Sequence, residues 1–319
     1  MTRTIRTLVL GAVVVSTGCG NETNSDETPT PMLTIPEEAA PPGLEIQGHR
    51  GARGLLPENT VPGFVIAIRE GADVLEMDLC ISADGQVMVS HEPWMSHEMC
   101  IRPDGSDIAE SEARSLNLHA MTAEEIAAFD CGSKGHPRFP DQRALPIHKP
   151  TLAEVVEVVE TVPMLIEGRR IRYNLEIKHA EAYEDNGLCP NASDFAHAVI
   201  SEVQRLGIAD RTCIQSFSAA AMEAVHLEAP EMTTAWLIES EGAVEDQLAR
   251  LSFKPDIYSP NWKLLTAADV GTLQDMGMRV IPWTVNEIED LESVMALGVD
   301  GIITDYPDRL VALRQTGAH

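Results

Sequence analysis

The feature that most constrains this chain is an alternation beginning after Pro42, in which short apolar runs take turns with helix-patterned stretches. Nine runs read as strands: LEIQGH, DVLEMDLCIS, QVMVSH, RYNLEIK, TCIQSF, TTAWLI, DIYSP, RVIPWTV and DGIITD. Only ADGQ separates the second run from the third, and Asp-Gly between two alternating strands is a tight-hairpin signal. A parallel crossover needs roughly a dozen residues, so QVMVSH is predicted to fold back antiparallel. Eight parallel strands remain, interleaved with helical patterns such as TLAEVVEVVE, ASDFAHAVISEVQRLG and NEIEDLESVMALG. An α/β fold of this count fits a closed TIM (β/α)8 barrel better than an open sheet. With 319 residues the chain is long enough for one such barrel.

The parts outside the alternation read differently. Residues 1–18 carry Arg3, Arg6 and the short apolar run LVLGAVVV, the pattern of an export signal. STGC ending at Cys19 is similar to a bacterial lipoprotein signal, although Ser16 stands where leucine is usual. The expectation is a chain exported and lipid-anchored to the cell envelope through Cys19, with plain secretion as the alternative. Residues 19–43 are acidic, proline-rich and aperiodic, the composition of a disordered tether. The barrel domain is placed at 44–319. Within it, 94–150 is polar, rich in His, Cys and Pro, and carries one convincing helical pattern, TAEEIAAF. It reads as a small inserted subdomain after the strand-2 hairpin. In an oxidising compartment a disulfide among Cys100, Cys131 and Cys189 is allowed, its pairing left open, while Cys80 and Cys213 read as buried small hydrophobes.

Charge narrows the partners. Lys and Arg total 23 against 50 Asp and Glu, a formal net charge of −27. Such a surface repels nucleic acid and leaves a small molecule as the expected partner, beside the membrane reached through the anchor. An anionic substrate then needs its own local cations. The oligomeric state leaves no mark in the sequence.

Strand alternation places Glu76 and Asp78 on one side of LEMDLC and Asn174, Glu176 and Lys178 on one side of YNLEIK. Barrel strands carry function at their C-terminal ends. Like charges about 4 Å apart cost roughly 4 kcal/mol per pair at an effective dielectric near 20. Glu76, Asp78 and Glu176 must therefore protonate, pair or hold a metal, and an all-oxygen set suits Mg²⁺ or Ca²⁺. A structural ion-pair network is the competing reading. His49 ends the first strand and His91 the hairpin strand, two imidazoles able to exchange protons near neutrality. Arg50 and Lys178 add a phosphate-sized clamp. Trp283, at the end of another strand, can pack on the alcohol part of a substrate or serve only to fill the rim.

HRGARGLLPENT, LEMDLCISADGQVMVSHEP, YNLEIK, QSF, WTVN and GVDGIITDYPDRL, in that order, resemble the glycerophosphodiester phosphodiesterases over roughly Glu45 to Leu313. FDCGSKGHPRFPDQRALP is also similar to that family's insertion. The resemblance implies a TIM barrel in which His49 and His91 are the acid/base pair, Glu76, Asp78 and Glu176 hold the metal, and Arg50 and Lys178 touch phosphate. It implies hydrolysis of a glycerophosphodiester to glycerol 3-phosphate and an alcohol, with a neighbouring substrate hydroxyl able to attack phosphorus first. Glu92 departs from the family's Asp after the second histidine, which puts the contact to His91 in question. Two other functions compete: a phospholipase D-like enzyme acting on lysophospholipids or sphingomyelin, and a lipoprotein that binds phosphodiesters without cleaving them.

Overall fold

The computed structural model describes residues 43–162 and 170–316. The stretch expected to be an export signal, Cys19 and the expected tether up to Pro42 lie outside the described residues. Nine strands form one sheet: β1 Glu45–Gly48, β2 Val74–Ile81, β3 Val87–Val89, β4 Arg172–Ile177, β5 Thr212–Ser216, β6 Thr233–Ile238, β7 Ile257–Pro260, β8 Arg279–Val280 and β9 Gly301–Thr304. Their order is β8-β7-β6-β5-β4-β2-β1-β9, every neighbour parallel, with β3 pairing β2 antiparallel off that path. The hairpin is where Asp-Gly placed it.

The ring is nearly closed. Between β8 and β9 there is no regular ladder, but Asp300 N–H donates to Val280 O, Ile303 N–H to Pro282 O and Val285 N–H to Ile303 O, each at 3.0 Å. The run RVIPWTV was expected to be a strand throughout, and only Arg279–Val280 is one. Pro282 has no N–H to give, so a continuous ladder cannot pass it.

Helices pack outside the strands for reasons written locally. At Leu152–Val159 a Thr151/Glu154 capping box fixes the start, and Leu152, Val155, Val156 and Val159 form one buried face. Asn191 caps Ala192–Arg205, whose Phe195, Ala196, Val199, Ile200 and Val203 are buried in the same spacing. Leu75, Met77 and Leu79 meet these helices from the outward side of β2. The main core thus lies between sheet and helices, leaving the inner side of β1, β2, β4 and β5 free for Gln47, Glu76, Asn174, Glu176 and Gln215, all buried.

From Trp94 to Pro150 the chain is mostly irregular, with short helices at Glu110–Ala113 and Ala123–Ala127 and a 3-10 turn at Leu118–Ala120. It builds its own apolar cluster from residues such as Met95, Cys100, Leu118 and Ile126, with Cys80 and Met88 joining from β2 and β3. A disulfide joins Cys100 to Cys131. Cys80, Cys189 and Cys213 are free thiols; Cys80 and Cys189 are buried, whereas Cys213 is half-buried rather than buried. No helix among the described residues is long and apolar enough to cross a membrane.

Candidate active site

The strand registers bring the carboxylates together. Asp78 of β2 lies opposite Glu176 of β4, and Glu176 lies opposite Gln215 of β5. Residues paired across neighbouring strands share a face about 5 Å apart, so side chains far apart in sequence converge. One carboxylate oxygen from each of Glu76, Asp78 and Glu176 lies within 4.8 Å of the others, and all three residues are buried.

The first histidine and its neighbour enter by a tight turn. His49 N–H continues the ladder to Thr304 O at 2.9 Å, after which Arg50 adopts φ +53 and Gly51 φ +87. A non-glycine residue there costs roughly 1 kcal/mol or more. The Arg50 amide offsets it by donating to Glu76 Oε2 at 2.8 Å. At Gly51 a Cβ would stand 2.7 Å from the Gly63 carbonyl carbon, so the turn can close only with glycine. His49 Nδ1 sits 2.7 Å from Asp305 Oδ1 and its Nε2 4.0 Å from Glu76 Oε2. With a carboxylate as partner, Nδ1 is the donor, and Nε2 is left for proton exchange. Burial, followed by the nearby Arg53 guanidinium, lowers the His49 pKa to about 4 against the pull of Asp305.

His91 arrives on the antiparallel arm. Ser90 N–H donates to Asp78 O at 2.9 Å, and His91 Nδ1 meets Glu92 Oε1 at 2.8 Å. Glu92 thus makes the contact that its extra methylene had put in question.

The cations are held as firmly as the carboxylates. Arg50 Nη1 donates to Glu58 Oε1 at 2.9 Å, and its Nε lies 3.2 Å from Asp78 Oδ2. Lys178 Nζ donates to Glu176 Oε1 at 2.8 Å and lies 3.6 Å from Asp78 Oδ1. Even so, the carboxylates are not all satisfied. Burial, then Asp78 and Glu176, push Glu76 well above the usual carboxylate range. Burial also keeps Glu176 raised, with Lys178 pulling against it and Asp78 adding to it. At Asp78 burial is outweighed by Arg50, His91 and Lys178, which hold it well below the usual range. Asp78 Oδ1 is buried without a hydrogen bond. Three converging oxygen donors, one of them orphaned, fit a hard divalent cation.

His49, Arg50, Glu76, His91, Glu176 and Lys178 line one cavity of about 530 Å³. Asp78 lies fully buried against Arg50 and Lys178. Trp283 lines the same cavity, with its Nε1 donating to Ser259 O at 2.8 Å and its ring edge-on to Phe217. All the residues singled out from the sequence between His49 and Trp283 therefore meet.

Several members were missed. Asp305 anchors His49 and takes Arg53 Nε at 2.8 Å. Glu58 receives both Arg50 and Arg53, and Asn59, itself at φ +55, donates to Asp78 Oδ2 at 2.8 Å. Gln215 donates to Glu76 Oε1 at 3.0 Å. Asp305 had a sequence signal, since it ends the run DGIITD at the same mouth as His49.

A parallel barrel whose mouth gathers carboxylates, imidazoles and paired cations defines a hydrolase for an anionic ester. Residues 49–309 match the Glycerophosphoryl diester phosphodiesterase family, and the chain belongs to that family. It is an enzyme, a phosphoric diester hydrolase that cleaves glycerophosphodiesters. A glycerophosphodiester phosphodiesterase of Caldanaerobacter subterraneus subsp. tengcongensis is 29% identical over 273 residues, 84% of this chain and 97% of that one. A putative glycerophosphoryl diester phosphodiesterase of Silicibacter pomeroyi superposes with a TM-score of 0.76 at 29% identity, covering 88% of this chain and 96% of that one. A phosphodiesterase of Oleispira antarctica, solved with its product sn-glycerol-3-phosphate, shares the fold with a TM-score of 0.66 at 20% identity, over 85% of this chain and 96% of that one.

Proposed function

We propose that the reaction is metal-dependent and runs by proton exchange at His49 and His91, giving glycerol 3-phosphate and an alcohol. The observation that carries this reading is the convergence of Glu76, Asp78 and Glu176 with both imidazoles on one cavity. The three carboxylates would hold a divalent cation such as Mg²⁺ or Ca²⁺, which when bound neutralises charge on the phosphate. Lys178 and Arg50 bind and orient the phosphate oxygens. With Nδ1 of His49 fixed on Asp305 and Nδ1 of His91 on Glu92, each Nε2 is free, one to take a proton from the attacking oxygen and the other to return one to the departing alkoxide. Trp283 covers the alcohol. The product seen in the Oleispira antarctica relative supports the choice of glycerol 3-phosphate.

The test is release of alcohol from glycerophosphocholine and glycerophosphoglycerol by chelator-treated protein, before and after adding Mg²⁺ or Ca²⁺. Activity is expected to return only with the ion. His49→Ala and His91→Ala are expected to lower kcat by about 10²–10⁴-fold while retaining ion affinity. Turnover indifferent to chelator, or wild-type rates in either variant, sinks the reading.

The same proposal includes export and lipid attachment at Cys19. The Cys100–Cys131 disulfide supports an oxidising compartment. Incorporation of labelled palmitate into the wild type but not Cys19→Ala is expected; equal labelling, or none in either, counts against the anchor.

A further inference from the structure

Beside the catalytic cavity lies a second one of about 460 Å³ that shares Arg53, Arg138, Trp283 and Thr284 with it. Its charges do not cancel. Arg53 is taken up by Asp305 through Nε at 2.8 Å and Nη2 at 3.1 Å. Glu287 faces Arg309 at 3.5 Å. That leaves Arg138, from the segment after β3, and Lys263, from the turn after β7. Both are exposed, and among the described residues neither has a carboxylate within ion-pair distance. Each stands instead against an aromatic ring, Arg138 over Phe139 at 6.0 Å and Lys263 over Trp262 at 5.5 Å. Two unneutralised cations at one opening run against the chain's net charge of −27. A quaternary ammonium would find its aromatic faces already beside cations, whereas a second phosphate would find an Arg fork and a Lys point charge.

We infer that the second cavity is the subsite for the departing alcohol and that it selects alcohols which themselves carry a phosphate. This rests on the hydrolytic reading above. The phosphate and glycerol occupy the larger cavity beside the histidines, and the alcohol runs past Trp283 and Thr284 towards Arg138 and Lys263. For bis(glycerophospho)glycerol the step is substrate plus water giving glycerol 3-phosphate plus glycerophosphoglycerol. The P–O bond to the central glycerol breaks, water supplies the new P–O bond, and one water proton goes to the departing oxygen.

The experiment compares initial kcat/KM, with a saturating divalent ion, on bis(glycerophospho)glycerol, glycerophosphoglycerol and glycerophosphocholine, whose leaving alcohols are anionic, neutral and cationic. The anionic alcohol is expected to be preferred over the neutral one, by a ratio that falls roughly three- to tenfold in R138Q/K263Q and shrinks as salt is raised. Because the readout is a ratio within each protein, a general loss of activity in the variant does not imitate the effect. A wild-type ratio at or below one, or a ratio unmoved by the double substitution, overturns the inference and leaves the hydrolytic reading standing. Cleavage of none of the three overturns both.

Discussion

The two ends of the barrel bury charge in opposite balance. At the end where the strands start, Glu45 takes Arg172 at 2.6 Å, Arg279 at 2.9 Å and Gln47 at 2.7 Å. One carboxylate there meets two guanidinium groups. Burial alone would raise its pKa, but Arg279 and Arg172 outweigh that and hold it low. At the end where the strands finish, three carboxylates share Arg50 and Lys178, and two of the three are raised. A chain of amides runs between these ends: Gln47 donates to Glu45, Asn174 to Gln47 and to Gln215, and Gln215 to Glu76, every link at 3.0 Å or less. The same residue type on the same inner wall is thus structural where cations are in surplus and is free for chemistry where they are short.

The sharpest way to break this comparison is to neutralise one carboxylate at each end. Glu76→Gln is expected to cost about 10³-fold in kcat/KM, equivalent to about 4 kcal/mol of transition-state stabilisation, with a Tm equal to or above wild type because a crowded charge is removed. Glu45→Gln is expected to do the reverse, costing about 2 kcal/mol of stability through its two partly exposed arginines with turnover little changed. Stability loss at both ends, or activity loss at both, would erase the distinction.

The Glu45 cost carries a pH signature. A carboxyl whose folded pKa is depressed contributes stability that is present above its unfolded value, near 4.5, and is lost as pH falls through the lower folded value. Urea melts should therefore show the wild type and Glu45→Gln converging below about pH 4.5. A gap that widens on acidification contradicts the pairing.

A smaller effect probes the link between the ends. Gln215→Leu removes the donor to Glu76 without touching the three carboxylates. It is expected to weaken Mn²⁺ binding, read by electron paramagnetic resonance titration, by about tenfold, since partners that orient a ligand carry that much affinity. Unchanged affinity would mean that Glu76 is positioned by the Arg50 amide alone.

Much of this was legible in the sequence because it is local or periodic. Period-two alternation assigned Glu76, Asp78 and Glu176 to the inner wall, and Asp-Gly located the one antiparallel strand among the described residues. What escaped depends on closure of the ring or on loop backbone. Asp305 becomes a partner of His49 only when the last strand returns beside the first, 256 residues later. Arg53, Glu58 and Asn59 are brought in by a loop that passes through left-handed conformations at Arg50 and Asn59, and composition does not encode that path. The shortness of β8 follows from Pro282, a signal that was visible but was outweighed by the apolar run around it.

The hairpin arm has a consequence of another kind. His91 hangs from β3, which is tied to the body through β2, Pro150 and Lys149, whereas the carboxylates stand on the ring strands β2 and β4. One of the two proton-exchange groups, His91, therefore has a support of its own outside the ring, whereas His49 at the end of β1 shares the ring with the carboxylates. In a duplicated gene, drift in the arm alone would extinguish turnover and spare the acidic nest, so this architecture holds open a short evolutionary route from catalyst to receptor.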